Sequence, residues 1–167
     1  SRIDWTPYFK YMINCVANGE TIDTDWCKGI PEGSVVLTEI NDKGENVSKE
    51  NQQKLLSLVE TLSKNASVVI MSGSLPSGVD EDFYFKLAKS VNKSAKIIVD
   101  TEGEKLKKAL NANVFMVKPN LRELEEFTGK NIYTLQDMVA ASKKYLDKGV
   151  KYVLVSLGAE GAVLTDG

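Results

Sequence analysis

The clearest indication of the fold lies at residues 66–100, which read ASVVIMSGSLPSGVDEDFYFKLAKSVNKSAKIIVD. This stretch opens with the apolar run Ala66 to Met71, passes through a polar loop at 72–78 and a helical pattern, and closes with the apolar run Ile97 to Val99. Short runs that are apolar on both faces are typical of parallel strands, and parallel strands need a crossover helix between them. The stretch therefore predicts a strand, a helix and a second, parallel strand.

The same alternation of short apolar runs and helical patterns continues on both sides of this stretch. Strands are predicted at 35–40, 66–71, 97–99, 114–117, 152–155 and 162–165. Helices are predicted after Ser48 as an N-cap, and at 83–91, 104–110, 121–128 and 135–146. We therefore expect an α/β fold, a three-layer α/β/α sandwich in which both faces of a mainly parallel sheet are covered.

The first part of the chain differs from the rest. Residues 1–33 hold both tryptophans and both cysteines and show no sustained period, so they stay an unassigned N-terminal segment. Residues 34–167 are predicted to form one partial α/β domain. Cys15 and Cys27 lack the C-x-x-C spacing of a zinc or redox site, so we interpret them as reduced thiols.

Composition excludes several classes of function. With 21 basic and 23 acidic side chains, the formal charge of −2 offers no field that would hold nucleic acid or an anionic membrane. The absence of histidine excludes Ser-His-Asp and Cys-His nucleophile systems. No apolar run is long enough to span a bilayer and the first residues lack a signal-peptide stretch, so we expect a cytoplasmic location.

In parallel α/β sheets, ligands bind where loops leave the carboxyl ends of the strands. Four predicted loops qualify, at 72–78, 100–103, 118–123 and 156–161. The glycines and hydroxyls of the first loop favour an anion near a helix start, although a plain connector explains them equally well. Asp100 can hold a metal or orient water, but an N-cap for the following helix is the simpler interpretation.

The third loop has the most informative spacing. Asn120 and Glu123 stand at Ncap and N3 of the next predicted helix, which are the positions of a capping box. With Lys118 just before them, the same amide and carboxylate can also arrange magnesium, water and phosphate oxygens. The loop at 156–161 is a glycine-rich turn that can receive a nucleotide, but such turns are common.

Taken together and in order, the loops resemble those of the ribokinase-like sugar kinases, also called the PfkB family. The matching strings are SGSLPSG at 72–78, VDTEGEKL at 99–106, KPNLRELEEFTG at 118–129 and VSLGAEGAV at 155–163. The resemblance is greatest to the branch of 1-phosphofructokinase and tagatose-6-phosphate kinase, and it runs from about residue 37 to residue 167. It implies ATP-dependent, magnesium-requiring phosphoryl transfer to a hydroxyl of a phosphorylated ketohexose.

The resemblance also implies roles for particular residues. The nucleotide-binding positions would be Lys118, Asn120, Glu123, Ser156, Leu157, Gly158, Ala159, Glu160 and Gly161. The acceptor sugar phosphate would lie against Ser72, Gly73 and Ser74. Magnesium would be held through water by Glu123, Asn120 and Asp100. Such a transfer depends on positioning and charge neutralisation rather than on a protein nucleophile, so a chain without histidine is compatible with it.

The sequence departs from the family in two motifs. The family's catalytic aspartate lies in a later G-A-G-D-type loop, and its sugar-binding G-G-x-x-x-N string lies near the N-terminus; neither string occurs here. We therefore expect a ribokinase-like domain truncated at both ends relative to the family, with no assignable catalytic base. Little or no turnover is expected from these residues alone, because general-base and electrostatic contributions each supply about 10²-fold or more.

Two other functions stay open. A non-catalytic nucleotide-binding or structural module derived from such a kinase would bind magnesium and nucleotide without turnover. A kinase with a nucleoside or an unphosphorylated sugar as acceptor is the third interpretation. The expected partners are ATP and a small sugar phosphate, not nucleic acid or a membrane. A shortened sheet exposes an edge or an apolar face, so homo-oligomers are also expected.

Overall fold

The computed structural model of the protein describes residues 35–37 and 47–167. The described strands are β1 (Val35–Leu37), β2 (Val68–Ser72), β3 (Lys96–Asp100), β4 (Met116–Val117), β5 (Tyr152–Ser156) and β6 (Ala162–Asp166). The described helices are α1 (Lys49–Leu62), α2 (Phe83–Ser90), α3 (Gly103–Ala109), α4 (Leu121–Thr128) and α5 (Leu135–Leu146). The predicted N-terminal segment with its two cysteines, and positions 38–40 of the first predicted strand, lie outside the described residues.

All the elements predicted within 47–167 are present, with ends that move by at most two residues. The strands form one sheet in the order of the sequence, from β1 to β6. Neighbours from β1 to β5 pair in parallel, whereas β5 and β6 pair antiparallel. Only the short turn at 157–161 separates β5 from β6, and a connection of that length permits a hairpin but no crossover. The mainly parallel α/β fold predicted from the sequence is confirmed.

The described helices all pack on one face of the sheet. Their buried side chains join the larger core cluster, which contains the strand residues Val69, Met71, Val99, Val117 and Val153. A sheet whose parallel strands follow one another in sequence order, with right-handed crossovers, places each helix on the same face. The second helical layer expected from the sequence is therefore not among the described helices. The opposite face carries a smaller cluster made of strand residues, among them Ile70 and Ile98.

Side chains cap the helices at the predicted places. The Ser48 hydroxyl accepts a hydrogen bond from the Asn51 backbone N–H at 3.2 Å and starts α1. α4 and α5 each begin with a full capping box, formed by Asn120 with Glu123 and by Thr134 with Asp137. Each box satisfies two backbone N–H groups that a helix start would otherwise leave unpaired.

None of the described helices is both long enough and apolar enough to cross a membrane.

Candidate functional site

The four loops singled out in the sequence leave the same edge of the sheet. Strands β2 to β5 run parallel, so their carboxyl ends point the same way. The Ser156 backbone N–H donates to the Pro119 carbonyl at 2.9 Å, which joins the end of β5 to the loop before α4. A single bridge between Asn120 and Ser156 continues this pairing. The chain thus brings its polar loops together where parallel sheets bind ligands.

Asp100, at the end of β3, contacts one residue at the end of β2 and one residue that follows β4. Its carboxylate accepts a hydrogen bond from the Ser72 hydroxyl at 3.1 Å and pairs with the Lys118 ammonium at 3.2 Å. The side chains of Lys118 and Asp100 are only 17% and 25% exposed. Because the site is only partly open to water, their attraction is screened less than that of a surface pair.

The simpler interpretation of Asp100 is wrong. The residue at the N-cap of α3 is Glu102, and it makes no capping hydrogen bond through its side chain. The Asp100 carboxylate is instead directed across the sheet edge to Ser72 and Lys118. The structure thus excludes the interpretation of Asp100 as a helix cap.

Asn120 and Glu123 do form the predicted capping box. The Glu123 carboxylate accepts from the Asn120 backbone N–H at 2.9 Å and from the Asn120 side-chain amide at 2.6 Å. The Asn120 side-chain oxygen accepts from the Glu123 backbone N–H at 2.9 Å. Burial raises the pKa of Glu123, and the negative charges of Asp100 and Glu102 raise it further. The negative charge of these neighbouring carboxylates is partly offset by the Lys118 ammonium, which lowers the pKa of Glu123.

The glycine-rich turn after β5 is held mainly by its own backbone. The Leu157 N–H donates to the Gly161 carbonyl at 2.8 Å, and Gly158 and Gly161 have φ values of +62° and +95°. Side chains other than glycine rarely adopt such φ values, which explains why both positions are glycine. Residues 158–161 are exposed. Within the described residues, no hydrogen bond joins 157–161 to Lys118, Asn120 or Glu123.

The loop after β2 is anchored from several sides. Gly73 has a φ of +106°, and its carbonyl accepts hydrogen bonds from the Tyr84 hydroxyl at 3.0 Å and the Thr101 hydroxyl at 2.9 Å. The buried Gln52 of α1 donates to the Gly78 carbonyl at 3.3 Å at the far end of the loop. Burial, with the charge of Asp100, raises the pKa of Tyr84 to about 12, so its hydroxyl stays protonated at neutral pH.

A small cavity lies between α3 and α4. Its volume is about 170 Å³, and its lining includes Glu102, Lys107, Glu123, Phe127 and Tyr145. The Tyr145 and Phe127 rings stack with centroids 4.0 Å apart. The Tyr145 side chain is fully buried, and its hydroxyl has no hydrogen-bond partner among the described residues.

We expect Tyr145→Phe to leave the melting temperature unchanged or to raise it. Burying a hydroxyl without a partner costs about 1–3 kcal/mol, and phenylalanine removes that group while keeping the ring that stacks on Phe127. Thermal denaturation followed by circular dichroism measures the change. A clear fall in melting temperature would mean that the hydroxyl has a stabilising partner, such as a water molecule in the cavity.

Comparison with known proteins gives consistent results. Residues 16–167 match the model of the pfkB family of carbohydrate kinases. The chain is 33% identical over 130 residues to a 1-phosphofructokinase of Borreliella burgdorferi, covering 78% of this chain and 42% of that protein. The chain thus spans less than half the length of this relative.

Solved structures agree with the sequence relatives. Phosphofructokinase-2 from Escherichia coli, in complex with fructose-6-phosphate, superposes with a TM-score of 0.66 at 31% identity, covering 73% of this chain and 41% of that one. The same enzyme has been solved in a tetrameric inhibited form. Arabidopsis thaliana ribokinase, complexed with ribose and ATP, gives a TM-score of 0.53 at 25% identity over 73% of this chain and 36% of its own. With the family model matching nearly all of its length, this chain belongs to the pfkB family of carbohydrate kinases.

Proposed function

We propose that the chain carries part of the active site of a sugar-phosphate kinase, which transfers a phosphoryl group from ATP to a hydroxyl of a phosphorylated ketohexose. The observation that carries this proposal is the contact of Lys118, Asp100 and Ser72 at the edge where Asn120 and Glu123 start α4. Residues 34–167 would form the α/β part of the kinase. The chain is similar to 1-phosphofructokinases, and this similarity favours a phosphofructose as the acceptor.

Lys118 is the residue with the clearest role in this proposal. Its ammonium lies in a partly buried position, held by Asp100 at 3.2 Å, where it can meet a phosphate oxygen with little loss of side-chain entropy. Phosphoryl transfer needs charge neutralisation at the transferring group, and a fixed cation supplies it. The turn at 156–161, whose residues 158–161 are exposed, would receive the rest of the nucleotide.

The oxygen donors of the site fit a hydrated magnesium ion better than a tightly ligated one. Within 47–167, no three acidic, histidine or cysteine residues are grouped so as to hold a metal directly. The oxygens of Asn120 and Glu123 are already engaged in the capping box. Magnesium commonly keeps several waters, so Glu123, Asn120 and Asp100 would hold it through water. When bound, it would supply positive charge that neutralises the phosphates during transfer.

The test is calorimetric titration of the chain with ATP, with and without magnesium, beside an assay of ADP release. Fructose 1-phosphate, fructose 6-phosphate and tagatose 6-phosphate are the acceptors to compare. Magnesium-dependent ATP binding is the result expected. Turnover would additionally show that these residues complete a site on their own, while binding without turnover would match a non-catalytic nucleotide-binding module. A folded chain that binds no ATP would refute the proposal.

A further inference from the structure

The Gly73 carbonyl receives two hydrogen bonds from two separate elements. Tyr84 lies in α2 and donates at 3.0 Å, while Thr101 follows β3 and donates at 2.9 Å. Both side chains are buried, with residue exposures of 5% and 8%. A buried hydroxyl with a fixed partner has little freedom to reorient, so the pair fixes the direction of this carbonyl.

Fixing the carbonyl of Gly73 also fixes the next amide. The peptide between Gly73 and Ser74 is trans, and in a trans peptide the carbonyl oxygen and the following N–H point in opposite directions. Because the carbonyl points inward to Tyr84 and Thr101, the Ser74 N–H points away from them. Among the described residues, this N–H has no hydrogen-bond partner.

The outer side of this peptide is open. A Cβ placed on Gly73 would meet no atom of the described residues within 4 Å, and Ser72 to Ser74 are exposed. The Ser74 N–H is unpaired among the described residues, and Gly73 beside it has no side chain. An anionic oxygen can therefore approach the backbone closely here. The loop also lies next to the Lys118 ammonium, because Ser72 and Lys118 share the Asp100 carboxylate.

We propose that Tyr84 and Thr101 are positioning residues, whose hydroxyls hold the Gly73 carbonyl inward and thereby aim the Ser74 N–H at a phosphate oxygen of the acceptor. This inference rests on the proposed function, since it assigns the loop to the phosphate-bearing substrate. It gives α2 a role besides packing against the sheet. The role is indirect, because neither hydroxyl would contact the substrate.

The test compares a Tyr84→Phe, Thr101→Val double variant with the unchanged chain. Both substitutions remove a hydroxyl and keep the shape of the side chain. We expect fructose 1-phosphate or fructose 6-phosphate to bind about tenfold more weakly, with magnesium-dependent ATP binding unchanged. In ¹⁵N-labelled protein, the Ser74 amide resonance should shift on sugar-phosphate binding, and this shift should be smaller in the double variant at the same ligand concentration.

Two further variants separate positioning from packing. Thr101→Ser keeps the hydroxyl and should bind like the unchanged chain. Tyr152→Phe removes a hydroxyl from the opposite end of β5 and should have no effect on binding. Melting temperatures identify any variant that fails to fold.

The outcomes separate this inference from the proposed function. Equal sugar-phosphate affinity in the folded double variant, or a Ser74 resonance that does not shift, would overturn the inference while ATP binding stands. An unchanged chain that binds ATP but neither sugar phosphate nor inorganic phosphate at Ser74 would overturn it as well. Absence of magnesium-dependent ATP binding would instead refute the proposed function. In that case a titration with inorganic phosphate, followed by the Ser74 amide resonance, would still test whether the loop binds a phosphate.

Discussion

Lys118→Met is expected to weaken magnesium-ATP binding by about 10- to 150-fold, because a hydrogen bond to a charged group contributes about 1.5–3 kcal/mol. The Lys118 side chain is 17% exposed, so water replaces the lost ammonium poorly. Asp100 would keep only its hydrogen bond from Ser72, and its uncompensated negative charge would then repel the phosphates. Both effects act in the same direction. Calorimetric titration with ATP in excess magnesium measures the loss.

Lys108→Met is the matched control for this variant. Lys108 pairs with Glu81 at 2.9 Å, as Lys118 pairs with Asp100, but its side chain is 43% exposed and it belongs to none of the four loops at the carboxyl edge of the sheet. Exposed ion pairs contribute little to stability, so this variant should lose little stability and no nucleotide affinity. If both variants bound ATP like the unchanged chain, Lys118 would be a structural partner of Asp100 and no more.

The capping box of α4 and the contacts of Asp100 together show what local sequence can and cannot predict. The capping box of α4 was predictable because Asn120 and Glu123 are three positions apart, a spacing that places them on one helical turn. The partners of Asp100 were not predictable in the same way. Ser72 is 28 positions away, and only the order of the strands brings it and Lys118 to the same carboxylate.

The same limit explains the other differences between sequence and structure. The alternation of strands and helices predicted every strand and α-helix within 47–167, but periodicity carries no information on strand order. Sequential order is what puts the described helices on one face. Tyr84 was not singled out from the sequence, although its ring joins the core on the helical face of the sheet. The partner of its hydroxyl, the Gly73 carbonyl, is set by tertiary packing.

Glu123→Gln is expected to weaken magnesium-dependent ATP binding by about ten- to a hundredfold, since it removes a charge that would hold the hydrated ion. Its effect on stability should be small or favourable. The pKa of Glu123 is raised in the folded chain, chiefly by burial, so folding disfavours the carboxylate at neutral pH and a neutral amide avoids that cost. Glutamine is also accepted at N3 of a capping box.

The second capping box provides the contrast that decides between a helix cap and a binding residue. Asp137 accepts hydrogen bonds from the Thr134 hydroxyl and backbone N–H, and these bonds lower its pKa. A lowered pKa means that folding favours the carboxylate, so Asp137→Asn should lower the melting temperature at neutral pH, and this difference should fade as pH falls through the carboxyl's folded-state pKa. ATP affinity should not change. Equal ATP affinities in the Glu123 and Asp137 variants would mean that Glu123 only caps its helix, as Asp137 does, and takes no part in binding magnesium and ATP.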